Sequence, residues 1–145
     1  MAYTANDFDT EADLVDAFLK FLSGGKHSLG DFAFICEFPF TSGRTDIVGK
    51  NKTSMYAFEA KLEKWDRAAQ QAYHNTAFVH YSYVLLPKRK IDLALKNRTY
   101  FEKRKVGLCF LDNGRMVVAL RAPRHRPILP GLHKRAVEMI RHASE

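Results

Sequence analysis

Three ionisable side chains, Asp46, Glu59 and Lys61, stand within TDIVGKNKTSMYAFEAKL, residues 45–62, among residues patterned for half-buried strands. Side chains alternate along a strand, so Glu59 and Lys61 share one face while Ala60 points to the other. The segment KNKTS interrupts the apolar pattern and reads as a turn. A hairpin centred between Lys52 and Thr53 sets Asp46 opposite Glu59, within one residue of register, with Cβ atoms about 5 Å apart. Like charges facing each other destabilise a sheet, and half-buried charges are costly unless paired or bound to metal. A divalent cation between the two carboxylates removes that repulsion. Mg²⁺, with Mn²⁺ as its substitute, suits one or two carboxylates, with water and phosphate completing the shell. Lys61 is placed to share charge on a phosphate or to orient a water, which is the chemistry of phosphodiester hydrolysis. The same residues also read as a Glu59–Lys61 ion pair beside a solvated Asp46.

The neighbouring elements carry further candidates. From Thr10, TEADLVDAFLKFL is a helix, with Leu14, Val15, Phe18, Leu19 and Leu22 at spacings of three and four. Thr10 or Asp9 is its N-cap and Gly24-Gly25 its stop. Glu11 lies on or beside that apolar stripe, facing either the sheet or the helix dipole. DFAFICEFPF is a strand stopped by Pro39, and SGRTDIVG a second strand entered through Gly43. After the MYAFEAKL strand, EKWDRAAQQAYHNTAF is a helix whose Ala68, Ala69 and Ala72 allow close approach to a sheet. It carries Gln71, an amide that can hold a water, a backbone group or a phosphate. Trp65 and Tyr73 on this helix read as packing residues. YSYVLLP is a buried strand and KIDLALKNRTYFEKRK one basic helix. VGLCFLDNGRMVVAL is a hairpin turning at Asn113-Gly114, and LHKRAVEMIRHA a last helix. The expected architecture is α/β, a central mixed sheet flanked by helices, as a single domain over residues 1–145.

Charge is uneven along the 145 residues. Residues 1–85 hold 8 Lys and Arg against 11 Asp and Glu, while residues 86–145 hold 15 against 5. A net of +10 in the second part suits a polyanion such as DNA. Lys88, Arg89 and Lys90, then Lys103, Arg104 and Lys105, are candidates for backbone contacts, as is Arg44 two residues before Asp46. Each is equally an ordinary surface charge. Cys36 and Cys109 lack metal or disulfide spacing and read as buried core residues. The histidines show no HxxxH or HExxH spacing, which argues against a zinc enzyme. No apolar run approaches about 18 residues, and the N-terminus lacks a basic, apolar leader, so a cytoplasmic location is expected.

The order and spacing of GRTDIV (Asp46), FEAKL (Glu59-Ala60-Lys61) and WDRAAQQAYH (Gln71-Ala72) resemble the PD-(D/E)XK nuclease superfamily, the fold of many restriction endonucleases and recombination nucleases. The first helix, the YVLLP strand and the later hairpin fit the same pattern, which spans residues 10–121. Thr45 stands where the family's name has proline. The resemblance implies a restriction endonuclease-like αβββαβ core, with the hairpin and a helix following it. It implies a Mg²⁺-dependent deoxyribonuclease, an endonuclease, in which Asp46, Glu59 and Glu11 bind metal, Lys61 activates the nucleophile and Gln71 supports the site. Two other readings use the same residues: a non-catalytic nucleic-acid-binding or interaction module, and a ribonuclease. A homodimer or partner subunit is compatible with either activity, since one small domain has little room for a separate reader of sequence.

Overall fold

The computed structural model describes residues 7–40 and 43–145. Ser42, placed by sequence at the entry to the second strand, lies outside the described residues. Among the described residues six strands form one mixed sheet in the spatial order of the chain. They are β1 (Ala33–Phe40), β2 (Gly43–Lys50), β3 (Met55–Ala60), β4 (Tyr81–Leu86), β5 (Gly107–Asp112) and β6 (Arg115–Leu120). β1, β2 and β3 run antiparallel, β3, β4 and β5 parallel, and β6 returns antiparallel to β5. The helices are α1 (Glu11–Ser23), α2 (Trp65–Asn75), α3 (Lys88–Lys96), α4 (Arg98–Arg104) and α5 (Pro130–Ala143). Among the described residues, no helix is long and apolar enough to cross a membrane.

The two sheet faces follow from strand alternation. Ile47, Phe58, Leu85 and Cys109 meet Leu14, Phe18 and Leu22 of α1. On the opposite face, Val84, Leu86 and Leu108 meet the small residues of α2 together with α3 and α4. Val48, Met55 and Ala57 meet Ala136 and Ile140 of α5. A capping box between Thr10 and Asp13 starts α1, and Gly24 caps its end. Phe18 rests 4.7 Å from Phe58, centroid to centroid, which seats α1 directly over the strand that carries Glu59. The Asn113-Gly114 turn has positive φ at both residues, as a tight hairpin requires.

Several elements depart from the expectations. Pro39 does not stop β1, because β1 is an edge strand and a missing N–H there breaks no central ladder. The second helix ends at Asn75 rather than Phe78, whose ring is buried with Phe38 instead. The long basic helix divides at Asn97, whose side chain donates to the Leu93 carbonyl at 3.0 Å and competes with continuation of the helix. The last helix begins two residues earlier than expected, with Pro130 in its first turn. Cys109 is buried but Cys36 is exposed.

Because Phe18 fills the space between α1 and β3, Phe18→Ala is expected to lower unfolding free energy by about 3–5 kcal/mol in urea titration. A loss under about 1 kcal/mol would mean that α1 is not anchored through this ring.

Candidate active site

The β2–β3 ladder ends at the pair Ile47↔Phe58. Continued one step, its register would pair Asp46 with Glu59, as the hairpin geometry predicts. The strands part there instead. Asp46 Oδ2 accepts the backbone N–H of Ala60 at 2.8 Å, so the carboxylate sits in the gap between the strands. The neighbouring edge strand is kinked at the same level. Glu37 adopts a left-handed φ of 55°, and both Ile35 and Phe38, three residues apart, face the α5 side. Thr45 also turns toward α2, although alternation from Ile47 would point it at α1.

Glu59 is only 2% exposed. Its Oε1 accepts from Asn75 Nδ2 at 2.8 Å, and Asn75 Oδ1 in turn accepts from Thr45 Oγ1 at 2.7 Å. Burial, reinforced by the Asp46 charge, pushes the Glu59 carboxyl up to about 8, against the weaker opposing pull of the Asn75 hydrogen bond. The Asp46 carboxyl is also raised, mainly by burial, while the Ala60 N–H, a hydrogen bond to Glu59 and the Lys61 charge favour its ionised form. Joint ionisation of the two acids is thus disfavoured, and the pair favours one shared proton on the more deeply buried Glu59.

Two depressions flank the pair. One, of about 390 Å³, is lined by Glu11, Asp46, Ala60, Lys61 and Gln71, with Cys36 at its rim. The other, of about 170 Å³, is lined by Arg44, Thr45, Glu59, Gln71, His74 and Asn75. Exposed Gln71 borders both. Lys61 lies just beyond the end of β3, its backbone N–H bonded to the Leu85 carbonyl at 3.1 Å. Its ammonium meets Glu11 Oε1 at 3.5 Å, so the alternative Glu59–Lys61 pair does not form and Glu11 reaches the site through Lys61. Among the described residues no group of three or more His, Cys, Asp or Glu gathers as for a metal ion. The carboxylate donors brought together are Asp46 and Glu59, with Glu11 alongside as the lysine's partner.

The basic candidates separate into two groups. Lys88 pairs with Asp112 at 3.3 Å, and Arg89 and Lys90 both pair with Glu63, at 2.9 and 2.7 Å. These ion pairs hold the Glu63 carboxyl below its ordinary range, Lys90 contributing most. Arg44 makes a long contact to Glu37, 3.5 Å, with both side chains exposed. Lys103 and Arg104 instead border a cleft beside α2, while Lys105 caps the end of α4 in a left-handed conformation. Trp65 packs against Tyr100 and Phe101 as expected, but Tyr73 is 52% exposed rather than packed.

Thr45 and Asn75, which hold the Glu59 carboxyl, are passed over by the motif reading. Asn75 had a visible signal: it continues the buried Ala68, Ala72 stripe at helical spacing, where an amide requires a polar partner. Thr45 had none, since its direction depends on the kink.

No family model matches the chain, and no curated protein matches it in sequence. Among solved structures, a protein of unknown function from Silicibacter pomeroyi shares the fold, with a TM-score of 0.67 over 95% of this chain and 88% of its own, at 15% identity.

In the folded chain Glu59 keeps its proton up to about pH 8, whereas unfolded it ionises near 4.5. The folded state binds more protons between these values, so stability falls as pH rises through this window and levels off above it. Raised Asp46 acts in the same direction. Glu59→Gln keeps a donor for Asp46 and an acceptor for Asn75 without ionising. In EDTA at pH 8 it is expected to exceed wild type in urea unfolding free energy by on the order of 2–4 kcal/mol, with a flatter pH profile. Superimposable profiles for the two proteins would contradict the shared proton.

Proposed function

We propose that the chain is a metal-dependent deoxyribonuclease, an endonuclease with a restriction endonuclease-like core of the PD-(D/E)XK type. The observation that carries this reading is the meeting of the Asp46 and Glu59 carboxyls where β2 and β3 part, beside Lys61. The pair fits a hard divalent cation: two oxygen-donor side chains, both raised by burial, lie close enough to share a proton that a cation could replace. Mg²⁺ or Mn²⁺ held by Asp46 and Glu59 would supply positive charge for the phosphate and acidity for water.

The remaining residues orient and screen. Asn75, fixed by Thr45, holds the Glu59 carboxyl in one orientation. The Ala60 N–H does the same for Asp46. Glu11 holds Lys61 at the rim of the depression, where its ammonium stabilises negative charge developing on a phosphate oxygen. Gln71, exposed between the two depressions, offers an amide donor to the same phosphate.

Supercoiled plasmid and single-stranded circular DNA are expected to be cut with Mg²⁺ or Mn²⁺ and left intact in EDTA. Asp46→Asn and Lys61→Ala are each expected to reduce cleavage by about 100-fold or more. Cleavage of RNA but not DNA would make the chain a ribonuclease. Binding of DNA without cleavage of either polymer, under every divalent metal tried, would leave the non-catalytic binding module.

A further inference from the structure

The depressions beside the carboxylate pair continue along α2. The smaller one shares His74 with a third cleft, of about 470 Å³, lined by Gln70, Tyr73, His74, Lys103 and Arg104. The inward side of α2 is occupied by Ala68, Ala69, Ala72 and Asn75, so Tyr73 is carried on the outward side, half exposed. Its ring has His74 as an aromatic neighbour at 6.1 Å. No acidic residue lines the cleft. The neighbouring Glu102 is engaged by Arg98 at 3.3 Å, and none of the ion pairs found among the described residues uses Lys103 or Arg104. Arg104 is held in place by stacking 3.5 Å from the Tyr100 ring centroid and by donating to the Tyr100 carbonyl at 3.0 Å. The Lys88–Lys90 cluster differs, each of its three cations being ion-paired with Glu63 or Asp112.

We infer that the cleft between α2 and α4 binds unpaired nucleic acid, with Tyr73 as a stacking platform and Lys103 and Arg104 as contacts to the phosphate backbone. An exposed aromatic facing a cleft with two cations, on a track that leads to the proposed phosphodiester site, matches a strand whose base faces are free. In a duplex those faces are hidden in the stack. The inference deepens the nuclease reading and rests on it for the meaning of the continuous track: the substrate has an unpaired segment next to the bond that is cut.

Binding can be read without turnover, by fluorescence anisotropy in EDTA, using a labelled poly-dT strand of about 16 nucleotides and a blunt hairpin duplex of equal charge. Wild type is expected to prefer the strand. Tyr73→Ala should weaken strand binding about fivefold or more and duplex binding less than about twofold, and Tyr73→Phe should retain strand binding. Replacing Lys103 and Arg104 together by Gln should weaken both and reduce the salt dependence. Strand affinity unchanged in Tyr73→Ala, or equal losses on strand and duplex, would overturn the proposal. So would displacement of the strand by polyglutamate as readily as by unlabelled poly-dT, which would assign the cleft to an acidic protein partner. Tyr73-dependent strand binding in a protein that never cleaves would support this site and remove the nuclease reading. Cleavage with no Tyr73 dependence of binding would remove this site alone.

Discussion

A buried carboxyl, Glu59, and a half-buried one, Asp46, meet where β2 and β3 stop pairing, and the local structure is arranged around the cost of that meeting. Glu59 is shut off from solvent and Asp46 only partly open to it, so two ionised carboxylates here would repel more strongly than in water. The folded chain answers with one proton held between them, one backbone N–H from Ala60 and one amide from Asn75. Replacing either acid by an apolar side chain of similar size would remove the problem altogether. The arrangement thus costs stability that the core elsewhere must supply, and such costs concentrate where a ligand of opposite charge is to be received.

Holding the pair in place requires departures from regular strand geometry. If β2 had kept strict alternation, Thr45 would face α1 and Asn75 would lose its acceptor's partner. The kink at Glu37, with φ at 55°, runs alongside and carries Phe38 into the α5 core despite its three-residue spacing from Ile35. A left-handed non-glycine residue costs on the order of 1–3 kcal/mol and persists only when its surroundings fix it. Here the buried rings of Phe38 and Phe78, 5.2 Å apart, do so from one side of the sheet. Phe18 on Phe58 fixes the other side and brings Glu11 to Lys61.

Much of this was legible from local patterns. The β2–β3 register, which points Asp46 toward Glu59, followed to within one residue from turn position alone, because a hairpin with a short turn leaves few alternatives. The α1 stripe and cap, and the Asn113-Gly114 turn, are equally local. What resisted reading depended on distant partners. Lys61 shares the Glu59 face only if β3 continues past Ala60, and the strand instead ends there. Pro39 is harmful in a central strand and harmless at an edge, and which of these β1 would be is a property of the whole sheet. Tyr73 and Trp65 are both large aromatics on α2, but Trp65 falls within the arc of Ala68, Ala69, Ala72 and Asn75 and packs on α4, whereas Tyr73 lies outside that arc and stays open.

The excess of positive charge illustrates the same division. Net charge is visible in sequence, but the field available to a partner depends on which cations are already compensated. Lys88, Arg89 and Lys90 form the denser cluster, yet two of the three converge on Glu63 and the third on Asp112. Those pairs are surface pairs and contribute little to stability, but they reduce the charge offered to a polyanion. In the second cluster Lys103 and Arg104 enter none of the ion pairs found among the described residues, and they lie on the side of α2 that leads through His74 and Gln71 to the two carboxyls. A polyanion bound there would lie along α2, the helix that also supplies the hydrogen bond fixing Glu59.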